Sequence, residues 1–188
     1  MSCCNENTID YKEWNKHVPI KEKDGVFFVY ITDDIEIPAA YNELTHRLYT
    51  ASAEDNFVFV INSGGGVVES AIMIIDAIQR SEATVKMLVT GFCASAGTII
   101  ALSGAELEVA DHSAFMIHNY SAGFGGKGHE LKARQTFMDN SLNSAFADYY
   151  KGFLTETEVE EVIEGKDFWL APDEVRTRWE TRKKLTGA

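Results

Sequence analysis

The chain has 188 residues, 17 Lys and Arg against 29 Asp and Glu, a formal net charge of −12, and 45% apolar residues. That length and balance fit one globular domain of ordinary composition and exclude wholesale disorder. The acidity excludes a generic nucleic-acid coat, which needs a basic face to neutralise phosphates.

Residues 1–24 are polar and mixed in charge, and read as an N-terminal arm. Val26-Phe27-Phe28-Val29-Tyr30-Ile31 is a continuous β-branched and aromatic run, which predicts a strand buried on both faces. Pro38 to Thr50 suits a helix, with proline in its first turn. Phe57 to Ile61 predicts a second buried strand, ended by Asn62-Ser63-Gly64-Gly65-Gly66. Val67 to Arg80 then predicts a helix, with Val68, Ala71, Ile72, Ile75 and Ile78 at helical spacing. Val85 to Val89 reads as a third strand, followed by Gly91.

Ala94 to Ser103 is apolar all round and predicts a buried helix, and Phe115 to Ile117 a short strand. The glycine-rich stretch Ser121–Gly128 leads into one long amphipathic helix over His129–Leu154. Thr155 and Glu158 form a capping-box pattern that opens a further helix. From Glu174 to Lys184 five basic residues outweigh two acidic ones by +3, leaving −15 for the rest of the chain. In this segment Glu174/Arg178 and Glu180/Lys184 are i,i+4 pairs, and Val175 and Trp179 share a face. It reads either as a solvated helix or as a docking element for an acidic neighbour. The organisation expected is therefore an arm (1–24), one domain (25–174) and a basic tail (175–188).

Strand–turn–helix units in series predict an α/β domain with parallel strands, whose ligands bind at the carboxyl ends of the strands. Cys3, Cys4 and Cys93 are odd in number and two are adjacent, so no disulfide framework is expected. No Cys or His spacing suggests zinc, and no cofactor is expected. The N-terminus lacks a basic stretch followed by an apolar one, and no apolar run approaches the ~20 residues of a bilayer span. A soluble, cytoplasmic protein with neither membrane nor nucleic acid as partner is the expectation.

Three strand ends carry residues suited to chemistry. Ser95 follows a strand and opens a helix, where unpaired N–H groups and the helix dipole favour negative charge. Gly97 two residues on makes half of a nucleophile elbow, but Cys93 stands where the other glycine would be. By itself Ser95 also suits a helix cap. The 62–66 loop can aim backbone N–H groups at an anion, or be an ordinary tight turn; it lacks the Gly-Lys-Ser/Thr of a phosphate loop. His118 ends an apolar strand beside the flexible glycine segment, where it suits either a general base or a structural hydrogen bond. Asp167 alone is one acid among 29. Cys93, in apolar surroundings, reads as a packed small hydrophobe.

Taken together, Phe59-Val-Ile-Asn-Ser-Gly-Gly-Gly-Val67, Ile72 to Ile78 with Asp76, Gly91-x-x-Ala-Ser-Ala-Gly97, Met116-Ile-His118 and Asp167-Phe-Trp-Leu170 with Glu174 resemble the Clp protease proteolytic subunit (ClpP) family. The blocks stand in family order over about three quarters of the chain. The resemblance implies a ClpP/crotonase-like fold, a parallel β/α spiral with a protruding handle helix at 129–154. It implies a serine endopeptidase with Ser95 as nucleophile, His118 as general base, Asp167 as orienting acid, and an oxyanion hole from the N–H groups of Gly66 and Ala96. Gly65, Gly66, Val67 and Val68 on one side and Asn119, Tyr120, Ser121 and Ala122 on the other would hold an unfolded polypeptide as an added strand. It further implies a homo-oligomer of two stacked heptameric rings and an AAA+ unfoldase partner. The alternatives are a non-catalytic ring subunit and a crotonase-like acyl-CoA enzyme. Several positions depart from the family pattern: Gly64 stands for its proline, Ala96 for its methionine, and Asn119-Tyr120 for its Gln-Pro. Its Gly-Leu-Ile-Asp near the C-terminus is replaced by the basic segment.

Overall fold

A computed structural model describes residues 18–123 and 125–186. Most of the expected arm, residues 1–17, lies outside the described residues. The chain runs β1 (Ile20–Lys23), β2 (Val26–Ile31), a 3-10 turn (Pro38–Tyr41), α1 (Asn42–Thr50), β3 (Asn56–Ser63), α2 (Val68–Arg80), β4 (Thr84–Ala94), α3 (Ala96–Ala101), β5 (Glu106–Val109), β6 (Ala114–Ile117), α4 (Gly128–Tyr149), α5 (Glu156–Ile163), β7 (Phe168–Leu170) and α6 (Pro172–Thr186).

The seven strands of the described residues form one sheet, six of them in the order β1-β2-β3-β4-β6-β7 with β5 paired to β4 off that path. The far edge of β4 is shared, β5 pairing with residues 86–89 and β6 with residues 92–94. The pairings among β2, β3, β4, β5 and β6 are parallel, as strand–turn–helix units predict. The parallel core is as expected, and the two outermost strands, β1 and β7, are antiparallel additions to it. For β1 the cause is local: Asp24 and Gly25 both have positive φ, +53° and +78°, and make the tight turn that favours a β-hairpin. The expected boundary at 24/25 therefore falls inside a hairpin.

Strand β4 runs past Val89 and Gly91 to Ala94, five residues beyond the expected end. Ile61 faces Val89 but Ser63 faces Cys93, so Thr90, Gly91 and Phe92 bulge opposite Asn62. The Asn62 side chain fills the irregularity, its Oδ1 accepting from Phe92 N at 2.8 Å. A bulge of this kind re-aims the strand end. Helix α3 is shorter than expected at both ends: Ser95, before it, is not helical, and Leu102 ends it as the C-cap.

Phe57, Phe59 and Ile61 of β3 and Val85, Met87 and Val89 of β4 pack with Leu44 and Leu48 of α1 and Ala71, Ile74 and Ile75 of α2 in one core. The intervening positions, Phe28, Tyr30, Val58, Val60 and Leu88, are only half-buried. The expectation of strands buried on both faces is thus met on one face only within a single chain. Helix α4 ends at Tyr149, earlier than expected, and buries Leu142 and Phe146 while Phe137 is 68% exposed.

As far as residue 186 the basic tail is helical, with one face packed on the domain and the other exposed. It forms most of α6, with Val175 and Trp179 buried in the core, and the expected 174/175 boundary lies within the helix. Arg178 grips Glu158 with two hydrogen bonds, 2.9 and 2.7 Å, and also reaches Glu174 at 2.9 Å. Glu158 closes the capping box with Thr155 at the start of α5, as predicted. The Arg178 guanidinium, more than any other neighbour, holds the Glu158 carboxyl down to about 2. Arg182 donates to Tyr149 O at 2.6 Å and Arg176 to Val109 O at 2.7 Å. Glu180 pairs with Lys183 at 2.6 Å rather than with Lys184.

Candidate active site

The sheet sets the site at one end. Sheet order is β4-β6-β7, and Ser95 directly follows β4, His118 directly follows β6, and Asp167 directly precedes β7. Because β7 is antiparallel to β6, its start lies at the end where β6 stops. The last ladder pair is Ile117 with Phe168, so His118 and Asp167 both flank that end of the β6–β7 ladder. Ser95 N donates to Met116 O at 2.9 Å, which carries the β4–β6 ladder on to the serine.

Ser95 has φ +54° and ψ −127°, a conformation that L residues rarely adopt and that costs roughly 1–3 kcal/mol. The turn lets β4 stop and α3 begin within one residue, with Ala96 N–H in the first turn. The Ser95 carbonyl accepts from Thr98 N at 2.9 Å and from Thr98 Oγ1 at 2.7 Å. Burial pushes the Cys93 thiol well above its ordinary range, so it remains an unreactive packed group.

The glycine loop lies against this turn. A Cβ on Gly65 would be 2.6 Å from Ser95 Cβ, and one on Gly66 would be 2.3 Å from Ile35 O. Both also have positive φ, +98° and +145°. Only glycine permits this approach at both positions. Ile35 straps the loop, its N donating to Gly65 O at 2.7 Å and its O accepting from Val67 N at 2.8 Å. In such a bridge Gly66 directs its own N–H and C=O to the opposite side. Ser63 Oγ accepts from Gly65 N at 3.1 Å and fixes the loop from within.

A cleft of about 1000 Å3 runs past these residues. Ser95, His118, Gly65, Gly66, Val67, Val68, Tyr120, Ser121 and Ala122 line it. Ala96 is buried behind Ser95, and Asn119 and the exposed Asp167 stand outside the lining. No hydrogen bond joins Ser95, His118 and Asp167 in this conformation. Asn119 instead donates to Ile163 O at 2.8 Å and accepts from Tyr120 N at 2.7 Å, bracing the segment after His118 against the end of α5. The Tyr120 hydroxyl donates to Asp139 of α4, and Gln135 donates to the Tyr120 oxygen at 2.8 Å.

Two parts of the cleft escaped the sequence reading. Ile35 sits in a stretch without periodicity, and its role depends on a bridge to a distant residue. Phe137, Met138 and Leu142 of α4 make a wall of the cleft. Their helical spacing was visible but signals only an apolar face, not what the face meets. The rim is charged, carrying Asp34, Glu36, Glu69 and Arg134.

Residues 26–177 match the family model described as Clp protease. Among curated relatives, the ATP-dependent Clp protease proteolytic subunit of Paracoccus denitrificans is 32% identical over 155 residues, covering 78% of this chain and 75% of its own. ATP-dependent Clp protease proteolytic subunit 1 of Chlamydia abortus is 30% identical over 155 residues, covering 80% of each chain. The subunit of the same name from Protochlamydia amoebophila is 29% identical over 153 residues, covering 78% and 74%.

Proposed function

The chain belongs to the Clp protease family and is a Clp-type peptidase, a hydrolase, and from that premise we propose that it is a serine endopeptidase acting on unfolded polypeptides. Ser95 Oγ attacks the peptide carbonyl while His118 takes its proton, and Asp167 orients the imidazole and stabilises its charged form. The N–H groups of Gly66 and Ala96 receive the oxyanion, each worth ~3–4 kcal/mol of barrier. His118 then protonates the leaving amine, and water hydrolyses the acyl-enzyme. The substrate lies as an added strand between Gly65–Val68 and Asn119–Ala122, a mode that uses main-chain groups and is broadly tolerant of sequence.

The observation that carries this proposal is Ser95 in its strained turn, in one cleft with His118 and packed against Gly65. The register that brings Asp167 to the same end of the β6–β7 ladder as His118 supports the third role. The His118–Asp167 and Ser95–His118 hydrogen bonds form, on this view, when substrate orders the cleft; catalytic hydrogen bonds commonly tighten only in the complex.

The working form we propose is a self-compartmentalising pair of stacked heptameric rings, with α4 as the handle of a spiral β/α fold. Parallel sheets normally have both faces covered. The half-buried face carrying Phe28, Tyr30, Val58, Val60 and Leu88 is one such face awaiting a neighbour. Among the described residues no helix is long and apolar enough to cross a membrane. A cytoplasmic location and an AAA+ unfoldase that feeds the chamber complete the proposal.

The test is a fluorophosphonate probe on the assembled protein, with native mass measured on the same sample. Labelling at Ser95, lost in Ser95→Ala and reduced at least 100-fold in rate by His118→Ala, is the expected outcome. An assembled protein that no phosphonate labels would instead be a non-catalytic subunit.

A further inference from the structure

We propose that Thr98 and Tyr150 are positioning residues for the Ala96 N–H, acting through the carbonyl of Ser95. This rests on the oxyanion role proposed above for Ala96. Ser95 C=O and Ala96 N–H belong to one planar trans peptide unit, so whatever fixes the carbonyl fixes the N–H that points the opposite way. Thr98 fixes it twice, through its N–H at 2.9 Å and its hydroxyl at 2.7 Å. A second hydroxyl, that of Tyr150, lies 2.6 Å from Thr98 Oγ1. Thr98 has one hydroxyl proton, and Ser95 holds it, so Tyr150 is the donor in that contact.

The result is a chain of hydrogen bonds running in one sense. Tyr150 O–H donates to Thr98, Thr98 O–H donates to Ser95 C=O, and the same peptide unit offers Ala96 N–H to the cleft. Each bond polarises the next, which makes the final N–H a stronger donor toward developing negative charge. Thr98 and Tyr150 are 0% and 1% exposed, so water has no access to stand in for either hydroxyl. Burial also raises the Tyr150 pKa, keeping the phenol protonated throughout any working range.

A threonine in the first turn of a helix often bonds back to a nearby carbonyl, and Thr98 alone would need no further account. Tyr150 does need one. It is brought 52 residues along the chain to the end of α4, where its N–H donates to Phe146 O and its carbonyl accepts from Phe153 N and Leu154 N. Phenylalanine would fill an apolar position here without desolvating a hydroxyl. The phenol's hydrogen-bond partner is Thr98, the residue that grips the strained serine's carbonyl. Fixed dipoles aimed before reaction are what an oxyanion site requires.

The experiment compares Thr98→Val, Thr98→Ser and Tyr150→Phe with wild type in the assembled protein. Peptide kcat and KM, the rate of phosphonate labelling at Ser95, thermal midpoint and affinity for a peptide boronate are measured together. Loss of an oxyanion donor costs ~10²–10³-fold, and misdirecting one costs part of that. The expectation is ~30-fold lower kcat for Thr98→Val and ~5-fold for Tyr150→Phe, with KM within twofold. Boronate affinity should fall with kcat, and Thr98→Ser should restore wild-type behaviour within about twofold. Wild-type kcat in Thr98→Val, or Thr98→Ser as impaired as Thr98→Val, overturns the proposal. Should Thr98→Val or Tyr150→Phe fail to fold, Thr98→Ser against Thr98→Ala isolates the hydroxyl, and equal kcat in that pair overturns it. Failure of the underlying serine-peptidase proposal is separately visible, because wild type itself would then not be labelled at Ser95.

Discussion

Gly65→Ala tests how closely the glycine loop must lie against the serine. The new Cβ would sit 2.6 Å from Ser95 Cβ and 2.8 Å from Ala94 O. Carbon atoms pack at about 3.5–4.0 Å, so one side must give way by about 1 Å. The φ of +98° adds strain for any L side chain, of order 1–2 kcal/mol. The loop has little room to retreat, since Gly65 O is held by Ile35 N at 2.7 Å and Gly65 N by Ser63 Oγ at 3.1 Å. The displacement therefore falls on Ser95 or on the neighbouring Gly66. A shift of about 1 Å at a reacting centre costs ~10²-fold in rate.

The expected result is a ~100-fold loss of kcat in peptide hydrolysis. A destabilisation of about 2–3 kcal/mol accompanies it, read as a thermal midpoint lower by ~5–10 °C. Turnover is measured well below that midpoint, on protein whose native mass matches wild type. Gly64→Ala is the control, because a Cβ there meets only Asp34 Oδ1 at 3.8 Å and the φ is not positive. It should stay within twofold of wild type. A Gly65→Ala protein that turns over within threefold of wild type would refute the claim that this contact sets the serine.

Tyr120→Phe removes the hydroxyl that links the segment after His118 to Asp139 and Gln135 of α4. It should raise peptide KM ~3–10-fold with kcat nearly unchanged, consistent with about 1 kcal/mol for one hydrogen bond, and an equal fall in kcat would point to the chemistry instead. Val60→Asp puts a charge on the half-buried sheet face and should shift native mass toward smaller species, with circular dichroism unchanged; an intact assembly would show that this face is not an interface. Arg178→Ala removes the pairing that lowers Glu158 from 4.5 to about 2. A depressed carboxyl pKa contributes stability above its unfolded value and loses it as pH falls through its folded value. The partner residues are about one fifth exposed, so the pair contributes up to about 3 kcal/mol at neutral pH. Wild type should lose that between about pH 4.5 and pH 2, and Arg178→Ala should lack both the stability and that part of the acid dependence, as followed by denaturant midpoints across the range.

Legibility in the sequence followed the range of the forces involved. Strands β2 and β3, helices α1 and α2 and the capping box at Thr155 are written in nearest-neighbour patterns, and the structure has them within a few residues. Strands β5 and β7 are four and three residues long, with alternating or mixed character, and no local pattern separates them from loop. The end of β4 is not legible locally, because Gly91 reads as a terminator while the strand runs on to Ala94. Only the cross-strand bond from Phe92 N to Asn62 reveals that the strand continues through a bulge. The Asp24-Gly25 turn was legible in principle, being a strong hairpin pair, but the charged residues before it masked β1. In the basic tail the charge pattern shows a helix with a solvated face but not which arginines reach back into the domain. Arg176, Arg178 and Arg182 satisfy carbonyls and carboxylates of their own domain, while Val175 and Trp179 enter the core between them.

The antiparallel direction of β7 is the departure that bears most on the site. In a purely parallel sheet every strand starts at the same end, and residues that precede strands lie far from residues that follow them. Ser95 and His118 both follow parallel strands, β4 and β6. A residue preceding a parallel β7 would face the opposite end, separated by the length of the strand. Reversing β7 brings Asp167 to the end where β4 and β6 finish, directly before Phe168, the ladder partner of Ile117. The chain between β6 and β7 holds α4 and α5, which gives it the length to return in either direction. A one-residue slip of β7 would turn its alternate residues over. Leu170 is buried while Trp169 is 62% exposed, and the slip would exchange them. The apolar packing of a three-residue strand thus also sets the position of the one carboxylate proposed to act on the histidine.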